Sequence, residues 1–211
     1  MNKKVYVVGG SINYTFFLNN IKIVDSIEEA NIVLFTGGED VHPSLYNAKI
    51  HPATFSNIKR DKKELEIFKK CVNSKNVRLL IGICRGSQFL CVANGGKLVQ
   101  NIRNHTILGT HKIINSYGDI YDITSTHHQL QYPYNLPINK YNILYWSHNN
   151  SSIIHEGDLI EWNSNTKEPE IVLYNTTKSI KSLAIQGHPE SLPKNHETNK
   201  MLNNLIDSIL E

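Results

Sequence analysis

Cysteine is scarce in this chain of 211 residues, which has only Cys71, Cys84 and Cys91. No two of them have the C-x-x-C spacing of a zinc site, and an odd number does not give a closed set of disulfides. The Gly9-Gly10 pair after the first apolar run also lacks the G-x-G-x-x-G pattern of a dinucleotide site. We therefore expect no disulfide framework, no structural metal and no cofactor, which leaves at least one thiol for another role.

Strong charge and long apolar runs are also missing. The 22 basic and 19 acidic side chains leave a formal net charge of +3, which is too small to indicate nucleic acid binding. No apolar stretch approaches the roughly 18 residues that a membrane-spanning helix needs. The first residues lead into a strand-like run and not into the apolar segment of a secretion signal. We expect a soluble cytoplasmic protein without membrane or nucleic acid partners.

The sequence alternates between strand and helix patterns near both ends. Apolar runs at 4–8, 31–35, 78–83 and 182–186 predict buried strands. Helical spacing predicts helices over 57–72, over 85–94 and near the C terminus. Between 97 and 185, short β-rich runs, among them 159–162, predict antiparallel ribbons. The length and the 40% hydrophobic content suit one domain, 1–211, with an α/β doubly wound, mostly parallel sheet, helices on both faces and an added antiparallel ribbon.

A reactive cysteine is indicated where the strand over 78–83 meets the next helix. Residues 82–86 read Gly-Ile-Cys-Arg-Gly, the G-x-nucleophile-x-G form of a nucleophile elbow. Flanking glycines permit the tight turn that lifts the nucleophile into a cleft, and the positive end of the helix dipole would favour a thiolate at Cys84. A buried structural cysteine is the alternative, and the pentapeptide alone favours neither.

Six motifs in a fixed order resemble the class I glutamine amidotransferase superfamily, and within it the γ-glutamyl hydrolase branch. They are 37–46 (GGEDVHPSLY), 60–64 (RDKKE), 82–88 (GICRGSQ), 95–98 (GGKL), 125–129 (STHHQ) and 186–190 (QGHPE). The resemblance extends from Gly37 to Glu190 and implies a flavodoxin-like fold with the site beyond the carboxyl ends of the strands.

The resemblance implies a catalytic triad of Cys84, His188 and Glu190. His188 would take the proton of the Cys84 thiol and return it to the leaving group, while Glu190 would orient the imidazole. Backbone N–H groups of Gly38 and Arg85 would form the oxyanion hole. Without the elbow, residues 188–190 would be interpreted as a surface turn.

The resemblance also implies a pocket for the glutamyl group, lined by Gln88, His127, His128 and Gln129. Gln88 could instead face solvent. Adjacent histidines can indicate a metal, but successive residues on a strand point to opposite faces. We therefore favour pocket lining over a purely structural histidine pair, and a metal is the least favoured of the three.

Three further features bear on specificity. Gly187 stands where the family has an aromatic residue, and we expect it to widen the leaving-group side. Arg60 and Asp61 form a pair either near the entrance or on the helix surface, and the sequence does not choose. The chain is shorter than the branch leads us to expect, so the loops around the cleft should be trimmed.

Together these features predict a cysteine hydrolase that attacks a γ-glutamyl carbonyl, forms a γ-glutamyl thioester at Cys84 and releases glutamate. The small-molecule substrate would be a γ-glutamyl amine or, with a nucleotide-linked leaving group, the γ-glutamyl-CDP-amidate of capsule biosynthesis. One rival is a glutaminase subunit that delivers ammonia to a partner synthetase. Another is a noncatalytic binding module that has kept the fold.

Overall fold

The computed structural model describes residues 3–149, 151–158 and 160–211. Its strands, in chain order, are β1 (Lys3–Val8), β2 (Ile21–Ile23), β3 (Ile32–Phe35), β4 (Leu79–Ile83), β5 (Lys97–Val99), β6 (Asn101–Ile102), β7 (Thr106–Ile114), β8 (Ile120–Thr126), β9 (Leu130–Tyr132), β10 (Tyr141–Ser147), β11 (His155–Glu156), β12 (Pro169–Tyr174) and β13 (Lys181–Ile185). Its helices are α1 (Ile58–Val72), α2 (Arg85–Ala93) and α3 (Glu197–Leu210). No described helix is long and apolar enough to cross a membrane.

Within these ranges, nine strands form one mixed sheet in the order β2-β1-β3-β4-β13-β12-β10-β7-β8. The five strands from β2 to β13 run parallel, and β12, β10, β7 and β8 continue the sheet as an antiparallel ribbon. Two short antiparallel pairs, β5 with β9 and β6 with β11, lie outside this sheet. The predicted doubly wound sheet with an added ribbon is confirmed.

Both faces of the parallel half are covered, which explains why its strands are continuously apolar. Alternate residues of β3 point to opposite faces: Phe35 packs with Phe68 of α1 and Phe89 of α2, whereas Leu34 packs in a second cluster with Ile206 of α3. Helices α1 and α2 therefore cover one face and α3 covers the other, as predicted.

Capping residues mark the ends of helices α1 and α2. The Asn57 side chain accepts a hydrogen bond from the backbone N–H of Arg60 at 3.3 Å, which satisfies one donor of the first turn of α1. Helix α2 begins directly after Cys84 and is followed by Gly95 with φ of +92°. A left-handed residue just past a helix end is the conformation that glycine adopts most readily.

The predicted strand over 159–162 is wrong for residues 160–162, which form no strand, and Leu159 lies outside the described residues. Trp162 instead stacks on the His155 ring, with centroids 3.8 Å apart, and packs against Tyr132 of β9. Residues 160–162 lie in a loop, and their apolar side chains pack on a small hydrophobic cluster. This burial explains why their sequence pattern resembles that of a strand.

Candidate active site

Cys84 occupies a strained turn between β4 and α2. Its backbone has φ of 52° and ψ of −111°, a conformation that side-chain-bearing residues rarely adopt. A Cβ on Gly82 would collide with the Gly86 carbonyl, and one on Gly86 would collide with the Phe35 carbonyl. Both glycines are therefore required for the close crossing of strand and helix, and the elbow prediction is confirmed in geometry.

His188 lies beside the elbow because β13 pairs with β4. Their register places Ile185 next to Ile83, so the segments that follow both strands emerge at one edge of the sheet. The His188 imidazole lies close enough to the Cys84 side chain to interact with it, and its Nδ1 lies 2.7 Å from Glu190 Oε1. Three side chains separated by up to 106 residues in sequence, from 84 to 190, thus form one connected array.

The array keeps His188 protonated. Burial alone would lower the pKa of this imidazole, but hydrogen bonds with Cys84 and Glu190 and their negative charges outweigh burial and raise the pKa to about 10. At neutral pH His188 is therefore an imidazolium, which is the charge that stabilises a neighbouring thiolate.

The sequence interpretation missed Tyr14, whose ring centroid lies 6.1 Å from that of His188. Burial raises the pKa of this phenol, so Tyr14 stays neutral and can donate a hydrogen bond.

Gly38 and Arg85 are the residues predicted to supply the backbone N–H groups of an oxyanion hole. Arg85 is the first residue of α2, where the N–H has no intrahelical acceptor. Gly38 has φ of +138°, and a Cβ there would collide with the Arg60 guanidinium. Arg60 Nη2 in turn donates to the Gly37 carbonyl at 2.8 Å and so fixes this loop. Gly38, Cys84 and Arg85 line one cavity.

Arg60 and Asp61 belong to a larger network next to the cavity and bind other residues, so the interpretation as a pair on the helix surface is wrong. Arg60 binds Glu39 at 2.9 Å and Glu64 at 2.8 Å. Asp61 and Glu64 both bind the Arg85 guanidinium, which is almost completely buried. Sequence reasoning used only the backbone of Arg85 and missed that its side chain joins α1 to the start of α2.

A cavity of about 190 Å³ opens at Cys84 and contains all four predicted pocket residues. Gln88 is buried, and its Nε2 donates to the Gln129 carbonyl at 3.0 Å, so it does not face solvent. Phe55, whose side chain is largely exposed, lies at the cavity and is a further lining residue that the sequence did not indicate. Two larger surface cavities, of about 590 and 560 Å³, have neither cysteine nor histidine among their described lining residues.

His127 and His128 lie in the turn between β8 and β9 and not on a strand, so that premise was wrong. Their side chains nevertheless diverge. His127 is buried and its Nδ1 is 2.9 Å from the Gln129 carbonyl, and burial lowers its pKa to about 3. His128 is partly exposed, and a hydrogen bond from its Nε2 to Asp40 Oδ1 at 3.1 Å raises its pKa.

Gly187 does not widen the leaving-group side, and that expectation is wrong. A Cβ at this position would collide with the Ile123 side chain, and it would lie 2.5 Å from the Thr124 carbonyl. The missing side chain allows the segment after β13 to pass close to β8. This contact also lets the His188 backbone N–H donate to Thr124 Oγ1 at 2.7 Å, which holds the histidine in place.

Comparison with known proteins agrees with this geometry. The peptidase C26 family matches residues 5–145, about two thirds of the chain. The chain belongs to the peptidase C26 family. The family lies within the class I glutamine amidotransferase-like superfamily, whose chemistry is amide hydrolysis or glutamine amidotransfer. The match includes Cys84 and ends before His188 and Glu190.

Individual relatives show the same kinship over shorter stretches. A glutamine amidotransferase-like protein of Rickettsia prowazekii is 39% identical over 75 residues, 35% of this chain and 26% of that protein. Protein NtpR of Enterococcus hirae is 30% identical over 80 residues, 37% of this chain and 33% of NtpR. These matches thus span about a quarter to a third of the relatives. The crystal structure of a glutamine amidotransferase from Thermotoga maritima has a TM-score of 0.55 and 13% identity, covering 100% of this chain and 95% of that one, and it shares the fold.

Proposed function

We propose that this peptidase C26 protein is a cysteine-dependent hydrolase that cleaves the carbon–nitrogen bond of a γ-glutamyl amide or a γ-glutamyl phosphoramidate through a thioester at Cys84. One observation carries the proposal: the Cys84 side chain lies next to an imidazolium that Glu190 orients. The backbone N–H groups of Gly38 and Arg85 lie at the same cavity, where an oxyanion would form.

The reaction has two halves. The Cys84 thiolate attacks the γ-carbonyl carbon, and the carbonyl oxygen becomes an oxyanion that the two N–H groups bind. When the carbon–nitrogen bond breaks, the His188 imidazolium gives its proton to the leaving nitrogen, and a γ-glutamyl thioester remains. Neutral His188 then takes a proton from water, whose oxygen attacks the thioester carbon. Glutamate leaves, and the thiolate and imidazolium are restored.

The cavity supports a glutamyl group as the acyl part. At about 190 Å³ it has room for an amino-acid-sized group and not for a whole nucleotide conjugate. Glu39 and Asp40 on its wall offer carboxylates for the α-ammonium group of the glutamyl substrate. The leaving group would then lie outside this cavity.

A groove of about 410 Å³ beside Glu190 is the place we propose for the leaving group. Phe16, 58% exposed, offers a ring on which a base can stack, and Lys194 offers a charge for a phosphate. These two residues support a nucleotide-linked leaving group such as that of γ-glutamyl-CDP-amidate over a small amine.

The test is to incubate the purified protein with free glutamine, a γ-glutamyl amine and a γ-glutamyl phosphoramidate nucleotide, and to measure glutamate. We expect partner-free turnover that is fastest with the nucleotide conjugate, and none from Cys84→Ala protein. Fastest turnover of the amine would contradict the nucleotide assignment alone. Glutamate from glutamine only after a synthetase is added would replace the hydrolase with a glutaminase subunit.

A further inference from the structure

A second group of chemically capable side chains lies in the antiparallel half of the sheet, apart from the Cys84 array. His105 directly precedes β7, His127 directly follows β8, and Glu170 is on β12. All three are buried, and each offers one ligand atom within 4.8 Å of the others. Glu170 Oε1 lies 3.4 Å from His105 Nδ1 and 3.9 Å from His127 Nε2.

Hydrogen bonds on the outer side of each ring turn a bare nitrogen toward Glu170. His105 Nε2 lies 2.9 Å from Glu168 Oε2, and His127 Nδ1 lies 2.9 Å from the Gln129 carbonyl. Because a carboxylate and a carbonyl can only accept, those nitrogens carry the protons. The second nitrogens, His127 Nε2 and His105 Nδ1, therefore face Glu170, and His105 Nδ1 lies 3.4 Å from both Glu170 Oε1 and Ser125 Oγ. Metal-binding histidines are held in this way, with the second nitrogen donating to a carboxylate or backbone carbonyl.

Two polar atoms in the cluster are left unsatisfied. His127 Nε2 and Glu170 Oε2 are buried and have no hydrogen-bond partner in the described part of the chain. Leaving buried polar atoms unpaired is costly, and charged ones most of all. Glu170 Oε1 already has a hydrogen-bond partner, His111 Nε2 at 3.0 Å, whereas Oε2 has none. A cation between the three residues would bind the two imidazole nitrogens and the unpaired carboxylate oxygen.

We propose that His105, His127 and Glu170 form a buried structural site for a divalent transition metal, with Zn²⁺ as the preferred ion. Two imidazole nitrogens and a carboxylate oxygen are a zinc donor set, whereas Mg²⁺ and Ca²⁺ prefer oxygen ligands alone. Zn²⁺ contacts of about 2.0–2.1 Å place tetrahedral ligand atoms roughly 3.4 Å apart. Two spacings, 3.4 and 3.9 Å from Glu170 Oε1, are close to this value, whereas the three ligand atoms span up to 4.8 Å, so the two imidazoles would have to approach each other by about 1 Å on binding the ion. Glu170 Oε2 is available for a further contact.

The bound ion would tie three separate segments together behind the catalytic cavity. His127 also lines that cavity, so the metal would fix one of its walls without touching the reacting atoms. The sequence considered a metal only for the adjacent pair of His127 and His128. The site proposed here pairs His127 with residues 22 and 43 positions away, which no local spacing indicates. This proposal is independent of the proposed reaction.

The test uses chelator-treated Cys84→Ala protein, because the substitution removes the thiolate that could bind a metal at the catalytic cavity. Titration with Co²⁺ should produce the visible absorption of a tetrahedral site at one ion per chain, and Zn²⁺ should displace it. Zn²⁺ at about 100 times its Kd should raise the Tm by roughly 5–10 °C.

Matched variants locate the site. His127→Asn keeps a donor for the Gln129 carbonyl but removes Nε2, and Glu170→Gln keeps the shape but removes the charge. Each should weaken metal binding at least about 100-fold, whereas His148→Ala, at an exposed histidine, should not change it. Unchanged binding in folded His127→Asn and Glu170→Gln proteins would overturn the proposal, as would no Co²⁺ absorption by the parent.

If neither His127→Asn nor Glu170→Gln protein folds, the Cys84→Ala protein without a further substitution still tests the site. X-ray absorption of the Zn²⁺-loaded Cys84→Ala protein should show two imidazole ligands and no sulfur. Sulfur ligation, or fewer than two imidazoles, would overturn the proposal.

Discussion

Two histidine–carboxylate pairs lie in different halves of the sheet. Both contain a hydrogen bond between an imidazole and a carboxylate, but their surroundings differ. His188 Nδ1 is 2.7 Å from Glu190, two residues away in sequence, and its side chain is 20% exposed beside a thiol. His105 Nε2 is 2.9 Å from Glu168, 63 residues away, and is completely buried. The pair itself does not define the role. Under the proposed function, access to a cavity and the third partner would decide whether the imidazole moves protons or holds structure.

The two assemblies differ most at Cys84, because the pair of His105 and Glu168 has no nucleophile beside it. Cys84→Ala should lower kcat by at least about 10⁴-fold while changing the free energy of unfolding by only about 1 kcal/mol. Glutamate release and urea unfolding measure the two quantities. Retained turnover would contradict the nucleophile assignment.

A labelling control separates Cys84 from the other thiols. Burial raises the pKa of both Cys71 and Cys91 to about 12, so neither forms thiolate at neutral pH. Iodoacetamide at pH 7 should therefore label Cys84 alone in the folded protein. An unreactive Cys84 would support a noncatalytic binding module.

The two members of the catalytic pair should differ from each other. His188→Gln removes the proton carrier and should lower kcat about 10³- to 10⁴-fold, whereas Glu190→Gln removes only the orienting carboxylate and should cost less. Steady-state kinetics of both variants test this order. Equal or reversed losses would argue against these roles.

A substitution in the buried pair of His105 and Glu168 should change the stability of the protein. Glu168 accepts hydrogen bonds from the Ser152 backbone and the His155 and His105 rings, all in the interior. Glu168→Gln should therefore lower the free energy of unfolding by about 2–3 kcal/mol, because charge-assisted buried bonds are lost. Urea unfolding should show a smaller loss for Glu190→Gln. A larger loss of unfolding free energy for Glu190→Gln than for Glu168→Gln would contradict the distinction between a structural pair and a catalytic pair.

The smallest expected effect is a shift in a pH profile. The pKa of His188 is raised to about 10, so the imidazolium persists at neutral pH and is lost as the pH rises toward that value. The alkaline limb of kcat/KM should lie near pH 10. Glu190→Gln removes one raising charge and should move the limb to lower pH. An unmoved limb would show that Glu190 does not set the protonation of His188.

The sequence predicted what depends on local pattern. The strand, turn and helix around Cys84 and the position of helix α1 follow from residue periodicity and glycine spacing. The meeting of His188 with Cys84 was expected only from the family resemblance. The same information indicated the cavity residues, although His127 and His128 proved to lie in a turn.

What the sequence could not predict depends on contacts between distant segments. The burial of the Arg85 guanidinium against Asp61 is invisible until α1 packs on α2. From the sequence, the missing side chain of Gly187 was expected to leave room for the leaving group. In the fold, it allows the backbone at Gly187 to pass close to β8. The convergence of His105 on Glu170 needs the register of the antiparallel ribbon, which no apolar pattern specifies.

The most direct test of the central claim is to quench the protein in acid during turnover of a γ-glutamyl substrate and to map its peptides by mass spectrometry. We predict one glutamyl group on the peptide that contains Cys84, and no adduct on Cys84→Ala protein. An unmodified Cys84, together with full turnover by Cys84→Ala protein, would contradict the account.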